Sequence, residues 1–379
     1  MSVALYIHIP WCVRKCPYCD FNSHAVRDAL PETAYLAALV ADLEFALPLV
    51  KDRTITSIFF GGGTPSLFSP AGIAQLLADI AHRLDLLPDA EITLEANPGT
   101  LEADKLAAFR AAGINRVSLG IQSFNNTHLR ALGRIHNRDE ALRAATLAAR
   151  HFPRFNLDLM YGLPKQTLAD AMRDLETAIE MGAPHLSCYQ LTLEPNTPFA
   201  AQPPTLPDDD LCADMGEAIE TRLTTAGLTH YETSAFARAG FQCQHNLNYW
   251  RFGDYLGIGA GAHSKLTVHQ DGETRVLRQM RWKSPEAYLR QSASGQPIQA
   301  EHAVPTEQIP FEFLMNALRL SEGFTPTLFE TQTRLPFSAL QLKLTAAARD
   351  GLLEISDKRI APTSQGRRFL NRLLERFLD

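Results

Sequence analysis

Three cysteines fall within eight residues near the start of the chain, in Cys12-Val-Arg-Lys-Cys16-Pro-Tyr-Cys19. Three thiolates from one short loop can hold three corners of a [4Fe–4S] cube, leaving the fourth iron open to a small ligand. Two other readings compete. The thiols could be ordinary buried cysteines, but three of the chain's six in one short loop speak against that. They could bind zinc, with His8 or His24 as fourth ligand; zinc sites usually set their cysteines in well-separated pairs. Arg14 and Lys15 could offset a cluster's negative charge, although solvated loop charges are the commoner situation.

The cysteine loop follows a β-branched run, Val3–Ile9, and other unusual residues also follow such runs. Gly61-Gly62-Gly63-Thr64-Pro65 comes after Thr54–Phe60, and Glu95-Ala96-Asn97-Pro98 closes Glu91–Glu95. Gln122-Ser123-Phe124 follows Arg116–Ile121, and Gly162-Leu163-Pro164 follows Phe155–Tyr161. A sixth run is His185–Leu193. Three glycines suit a backbone that a ligand approaches closely, or simply a tight turn. Between the runs lie stretches with apolar residues at three- and four-residue steps: Pro31–Val50, Phe68–Leu87, Glu102–Ala112, Arg138–His151 and Thr167–Met181. Strand and helix in alternation imply right-handed crossovers and a parallel sheet, either open and doubly wound or closed as a full or partial barrel. Either way the polar residues gather at the carboxyl ends of strands, where such folds keep their sites.

Near Gln202–Asp210 the texture changes to a proline-rich, acidic connection, followed by a helix over Asp208–Ala226. A glycine-rich stretch, Gly253–Gly261, has strand-like neighbours. From about Glu301 the order is helix, helix, two short strands and a last helix with Leu370, Leu373, Leu374 and Phe377 inward, as in a winged helix. The expected division is 1–235 for the α/β unit, 236–300 for a connecting segment and 301–379 for the C-terminal domain. Over 379 residues, 45% are apolar and 21% charged, which excludes a disordered chain and a disulfide scaffold. A net charge of -6 argues against wholesale binding of nucleic acid. The C-terminal arginines 359, 367, 368, 372 and 376, interspersed with Glu375 and Asp379, read as a solvated face. No apolar run approaches the roughly 18 residues of a membrane span, and MSVALYIHIP has no basic leader region, so the expected location is a reducing cytoplasm.

The CxxxCxxC loop between a first strand and a (βα) series resembles the radical S-adenosylmethionine (SAM) superfamily. That resemblance implies a partial (βα)6 barrel and a [4Fe–4S] cluster whose open iron is chelated by the methionine end of SAM. Tyr6-Ile-His-Ile-Pro10, the GGGTP run, EANP, GIQSFN and LDLMYGLP are similar to the branch of oxygen-independent coproporphyrinogen dehydrogenase. The resemblance assigns Cys12, Cys16 and Cys19 to the cluster. It places Tyr6, Tyr18, Gly62, Gly63, Thr64, Glu95, Gln122, Arg134 and Asp158 around SAM. The chemistry is sensible: carboxylates grip hydroxyls or an ammonium, and an arginine pairs with a carboxylate.

Two features shift the expectation within that branch. The dehydrogenases carry a fourth cysteine where this chain has Phe21, and they have a long segment ahead of the first strand. Further on, Cys243-Gln-His245-Asn-Leu-Asn-Tyr249-Trp250 resembles the HNxxYW signature of the HemW heme chaperones, as CDFNSH (Cys19–His24) does. His245 offers an imidazole to iron, and Tyr249 and Trp250 offer flat apolar surface to a macrocycle. Without the resemblance, a hydrogen-bonded histidine among core aromatics is the plainer reading. Cys243 and His263 are rival iron ligands. The implied function is a heme chaperone serving apo-hemoproteins, among them membrane respiratory enzymes that it would meet at the membrane periphery, and a homodimer is a family-level expectation. The alternative is radical decarboxylation of coproporphyrinogen III to protoporphyrinogen IX. Whether the chain is an enzyme stays open between the two.

Overall fold

The computed structural model describes every residue except Met1, Asp28, Asp271, Asp357 and Asp379. Six strands lie side by side in chain order, all parallel: β1 (Ser2–Ile9), β2 (Thr54–Gly62), β3 (Asp85–Ala96), β4 (Arg116–Gln122), β5 (Arg154–Tyr161) and β6 (His185–Gln190). Helices Glu32–Val50, Pro70–Arg83, Ala103–Ala111, Arg138–His151, Leu168–Glu180 and Asp209–Thr225 follow them in turn. This is the partial (βα)6 barrel that the alternation and the resemblance anticipate. Beyond β6 the sheet gains the antiparallel pair β7 (Thr229–Glu232) and β8 (Ala235–Ala237). Beyond β1 it gains β9 (Tyr255–Ile258), parallel to β1, and then antiparallel β10 (His263–Gln270), β11 (Glu273–Arg281) and β12 (Ile298–Ala303). The glycine-rich stretch thus adds strands to the main sheet, which stays open with β12 and β7 at its edges.

Side chains alternate across each strand, and the two faces have different chemistry. Val117, Leu119, Leu157, Leu159 and Leu186 pack in the core with helix residues such as Ala144, Ala148 and Leu175. Their neighbours Arg116, Ser118, Asn156 and His185 are buried and polar. Capping boxes at Asn137/Glu140 and Thr167/Asp170 start two of the outer helices.

Three local expectations are corrected. The helix expected over Phe68–Leu87 stops at Arg83, because Leu84 turns extended and Leu86 pairs with Ile55 as part of β3. The last helix is two short ones, Ser364–Arg368 and Leu370–Glu375, that still bury Leu373, Leu374 and Phe377. One helix, Glu32–Val50, does reach the length and mean hydropathy (1.6) of a membrane span. It packs into the barrel's core instead: Tyr35, Leu39 and Leu43 are fully buried, and Asp42 pairs with Arg281 at 3.0 Å.

The C-terminal domain has helices Ile309–Ala317, Pro326–Thr333 and Gln341–Arg349, then a hairpin of β13 (Leu353–Ile355) and β14 (Ile360–Pro362). Phe313, Phe324, Phe329, Leu344 and Ile360 form its own core. Three helices and a two-stranded wing give the winged-helix-like arrangement.

Candidate functional site

The site is built at the carboxyl ends of the parallel strands. From the end of β1 the chain runs into Trp11–Cys12, which pairs with His24–Ala25 and so closes the cysteine loop upon itself. Cys19 N donates to Cys16 O at 3.2 Å, and Val26 N to Cys12 O at 2.9 Å. All three thiols are free and half-buried. Burial pushes Cys12 and Cys19 above the ordinary thiol range, a penalty that ligation to iron removes. Among the described residues, no three or more His, Cys, Asp or Glu side chains form a group able to hold a single metal ion. A cube makes a different demand, one thiolate on each of three irons.

The glycine run is wedged between β1 and this loop. Gly62 has φ +110°, and a Cβ there would lie 2.5 Å from the His8 ring. A Cβ on Gly63 would lie 2.5 Å from the Trp11 carbonyl oxygen. No other residue type satisfies both the space and, at Gly62, the backbone. Gly63 N donates to Ile9 O (2.8 Å) and Thr64 N to Trp11 O (2.7 Å), so the run is strapped to the chain that leads into Cys12. His8 is the filler beneath. Tyr6 OH donates to its Nδ1 (2.9 Å) and its Nε2 donates to Asn22 O (2.8 Å). Burial pulls its pKa down to about 4, which keeps it neutral.

Around the rim stand the carboxylates and Arg134. Gly62 N donates to Glu95 Oε2 at 3.2 Å. Burial first, and then neighbouring Asp158, push the Glu95 carboxyl up to about 8. Asp158 accepts from Asn156 Nδ2 (2.7 Å) and Ser118 Oγ (3.2 Å), yet burial still raises its pKa. Gln122 takes a left-handed φ of 67°, rare outside glycine, and its Oε1 accepts from Tyr189 OH at 2.6 Å. Arg134 donates to Gly120 O (2.7 Å) and points Nη1 at Cys16 Sγ (3.6 Å), while its buried Nε has no partner. Tyr18 packs on Phe199 with ring centroids 6.3 Å apart. The donor set fits a cluster on three cysteines. The glycine cradle, the unspent Arg134 donor and two proton-hungry carboxylates fit a ligand with a carboxylate, an ammonium and hydroxyls.

His245 lies below the rim, toward the starts of the strands, with its ring centroid 6.4 Å from that of Tyr6. Its helix, Gln244–Trp250, sits against residues from the starts of the strands. His245 Nδ1 meets Ser57 Oγ at 2.9 Å, its Nε2 meets Tyr249 OH at 3.1 Å, and its ring stacks on Phe59 at 5.0 Å. It is 1% exposed, and burial pulls its pKa to about 3. Iron ligation from here requires one of those two bonds to open. Glu91 holds the helix start, accepting from Gln244 N (2.8 Å), His245 N (3.2 Å) and Cys243 Sγ (3.4 Å). Burial pushes the Cys243 thiol up to about 12, so it stays protonated. Tyr249 and Trp250 line a cavity of about 220 Å³ with Phe252, Tyr255, Lys265 and Arg278. That is smaller than an ordinary ligand pocket. His263 is exposed at the start of β10.

Several residues that shape the site were not singled out from the sequence: Tyr189 under Gln122, Asn156 and Ser118 under Asp158, and Glu91 under the motif helix. His8 was weighed only as a metal ligand. The missed signal is alternation: Tyr6 and His8, and Asn156 and Asp158, share one face at two-residue spacing, and Glu91 and Glu95 at four.

Comparison with known proteins bears on all of this. A profile of the radical SAM superfamily matches residues 6–178, and one of the HemN C-terminal domain matches 304–369. A relative from Haemophilus influenzae named heme chaperone HemW is 51% identical, covering 99% of this chain and 98% of its own. One of the same name from Escherichia coli is 49% identical with the same coverage. Among solved structures, coproporphyrinogen III oxidase (HemN) from Escherichia coli, described as a radical SAM enzyme, superposes with a TM-score of 0.83. It is 27% identical, over 99% of this chain and 90% of that one. By these likenesses, carried across its whole length, the chain belongs to the HemW family of the radical SAM superfamily.

Proposed function

We propose that the protein is a heme chaperone that carries a SAM-coordinated [4Fe–4S] cluster, takes up heme and passes it to apo-hemoproteins. The observation that carries this is the near-complete, half-identical likeness to relatives named heme chaperones. Cys12, Cys16 and Cys19 would hold the cluster. When bound, the cluster supplies a low-potential electron and one open iron position. The Gly62–Thr64 backbone, Tyr6, Tyr18, Glu95, Gln122, Arg134 and Asp158 would hold SAM. Arg134, with Nε unspent, would take a carboxylate, and Glu95 would accept an N–H of the amino group that ligates iron. His245 would ligate heme after the motif helix shifts away from Ser57, with Tyr249 and Trp250 against the macrocycle. In this reading the protein works in the cytoplasm, meets membrane respiratory enzymes as clients, and pairs as a homodimer.

The test is an anaerobic heme titration of cluster-reconstituted protein, read by absorbance, with His245→Ala beside it. Saturation near one heme per chain, with a spectrum altered by the substitution, is expected. Weak, non-saturating uptake by the wild type overturns the reading. Tight binding with an unchanged spectrum moves the ligand to Cys243 or His263.

A second reading, coproporphyrinogen decarboxylation, draws on the fold shared with the oxidase. Against it, the position of that branch's fourth cysteine is Phe21, 62% exposed and without a thiol. Deoxyadenosine release coupled to porphyrinogen decarboxylation is the outcome that would favour it.

A further inference from the structure

A buried line of hydrogen bonds runs through the barrel interior from Asp158 to the motif helix. At the rim, Asn156 Nδ2 donates to Asp158 Oδ1 (2.7 Å). The Asn156 carbonyl Oδ1 in turn meets His185 Nδ1 at 2.7 Å. The other His185 nitrogen, Nε2, meets Tyr231 OH at 2.8 Å. Tyr231 OH accepts from the backbone N–H of Cys243 at 3.2 Å. Cys243 is the residue on which the motif helix begins, and its thiol donates to Glu91, as the next two amides do.

The donor order along this line is fixed. The Asn156 carbonyl oxygen can only accept, so His185 carries its hydrogen on Nδ1 and its Nε2 takes the hydrogen of Tyr231, whose oxygen accepts from the Cys243 N–H. The neutral imidazole donates to Asn156, whose amide donates to Asp158. The side chains of Asn156, His185 and Tyr231 come from β5, β6 and β7, and all are at most 5% exposed. Buried polar groups of this kind tolerate no idle member, because a lost partner is not replaced by water. A ligand whose hydroxyls compete for Asp158 therefore acts on Asn156, and a displacement of the motif helix acts on Tyr231.

We propose that Tyr231 and His185 are positioning residues that make SAM binding at Asp158 and heme binding at the motif helix interdependent. The inference rests on the function proposed above and goes beyond it by linking its two ligands. Coupling of two binding sites is reciprocal, so each ligand must change the other's affinity by the same factor.

The experiment uses full-length, cluster-reconstituted protein. SAM affinity is measured with and without heme, and heme affinity with and without SAM, in wild type and Tyr231→Phe. Wild type is expected to show the same factor both ways, about fivefold or more. In Tyr231→Phe each ligand should still bind within about threefold of wild type, while the factor falls below about twofold. Amide exchange gives a second readout: added SAM should change protection at residues 243–250 in wild type and leave it unchanged in Tyr231→Phe. An effect carried by the contact of Tyr6 with His245, which is common to both, would persist in the variant. Independent binding of the two ligands in wild type overturns the inference, as does a coupling factor that survives Tyr231→Phe. No heme saturation at all removes the functional reading itself, a separate and recognisable result.

Discussion

The two ends of the barrel are prepared for opposite tasks. At the cysteine rim, three thiols stand outside any disulfide, the buried Arg134 Nε has no partner, and burial raises the pKa of the carboxyls at Glu95 and Asp158. At the motif helix, the His245 nitrogens, the Cys243 thiol and the first helical amides are all taken by protein partners. A rim with unspent donors is set to receive a ligand without moving. A helix whose groups are all satisfied must give something up first, so ligand entry there belongs with motion.

The sharpest way to break this contrast is to empty one end. Cys16→Ala should abolish cluster loading, dropping iron from about four per chain to near zero by metal analysis. Heme uptake should survive within a few-fold, since no cysteine of the loop touches the motif helix. If heme uptake disappears as well, the two ends are one site. Next in size is Gly62→Ala. The φ of +110° and the His8 ring leave no room for a Cβ. SAM affinity should fall about 100-fold, with a stability loss of about 1–3 kcal/mol in thermal unfolding. At the other end, Glu91→Gln leaves Arg116 and Arg154 beside a neutral amide and weakens the hold on the helix start. A loss of about 2–4 kcal/mol in urea unfolding is expected, with SAM affinity little changed.

How much of this could be read from the sequence differs between the ends. At the rim the residue types narrow the task to a few. Clustered cysteines suit a cluster or zinc, a glycine triplet after a strand suits a ligand or a tight turn, and the alternation of strands and helices puts both on one edge. At the motif helix the residue types mislead. A histidine beside aromatics reads as a ligand or as core, and only the positions of Ser57 and Glu91 show how firmly it is held. Those partners lie over 150 residues away in sequence, and no spacing rule connects them. The added strands β9–β12 were hidden for a similar reason: their membership in the main sheet depends on where β1 leaves an open edge.

The smallest expected effect separates the ends by pH. Glu95 is held at about 8 against an ordinary 4.5, so the folded chain keeps a proton that the unfolded chain releases. Its contribution to stability is full below about 4.5 and is lost as the pH rises through 8. His245, held at about 3 against an ordinary 6.5, has the opposite sign. Its contribution is present above 6.5 and is lost as the pH falls toward 3. Alkali should therefore loosen the rim of the ligand-free protein, and acid the motif helix, each by at most about 1.4 kcal/mol per pH unit per group. Amide exchange followed across pH 4 to 9 reads both regions in one experiment. A sharper consequence follows at the rim. If Glu95 accepts from the amino group of SAM, binding at pH 7 must expel the proton that Glu95 holds, besides the one the ammonium gives up on ligating iron. Heats of binding in buffers of different ionisation enthalpy should then show close to two protons released at pH 7, falling to about one in Glu95→Gln, and almost none at pH 9. Equal release by wild type and Glu95→Gln at pH 7 would remove Glu95 from the amino-group contact. It would leave its hydrogen bond from Gly62 as its whole task.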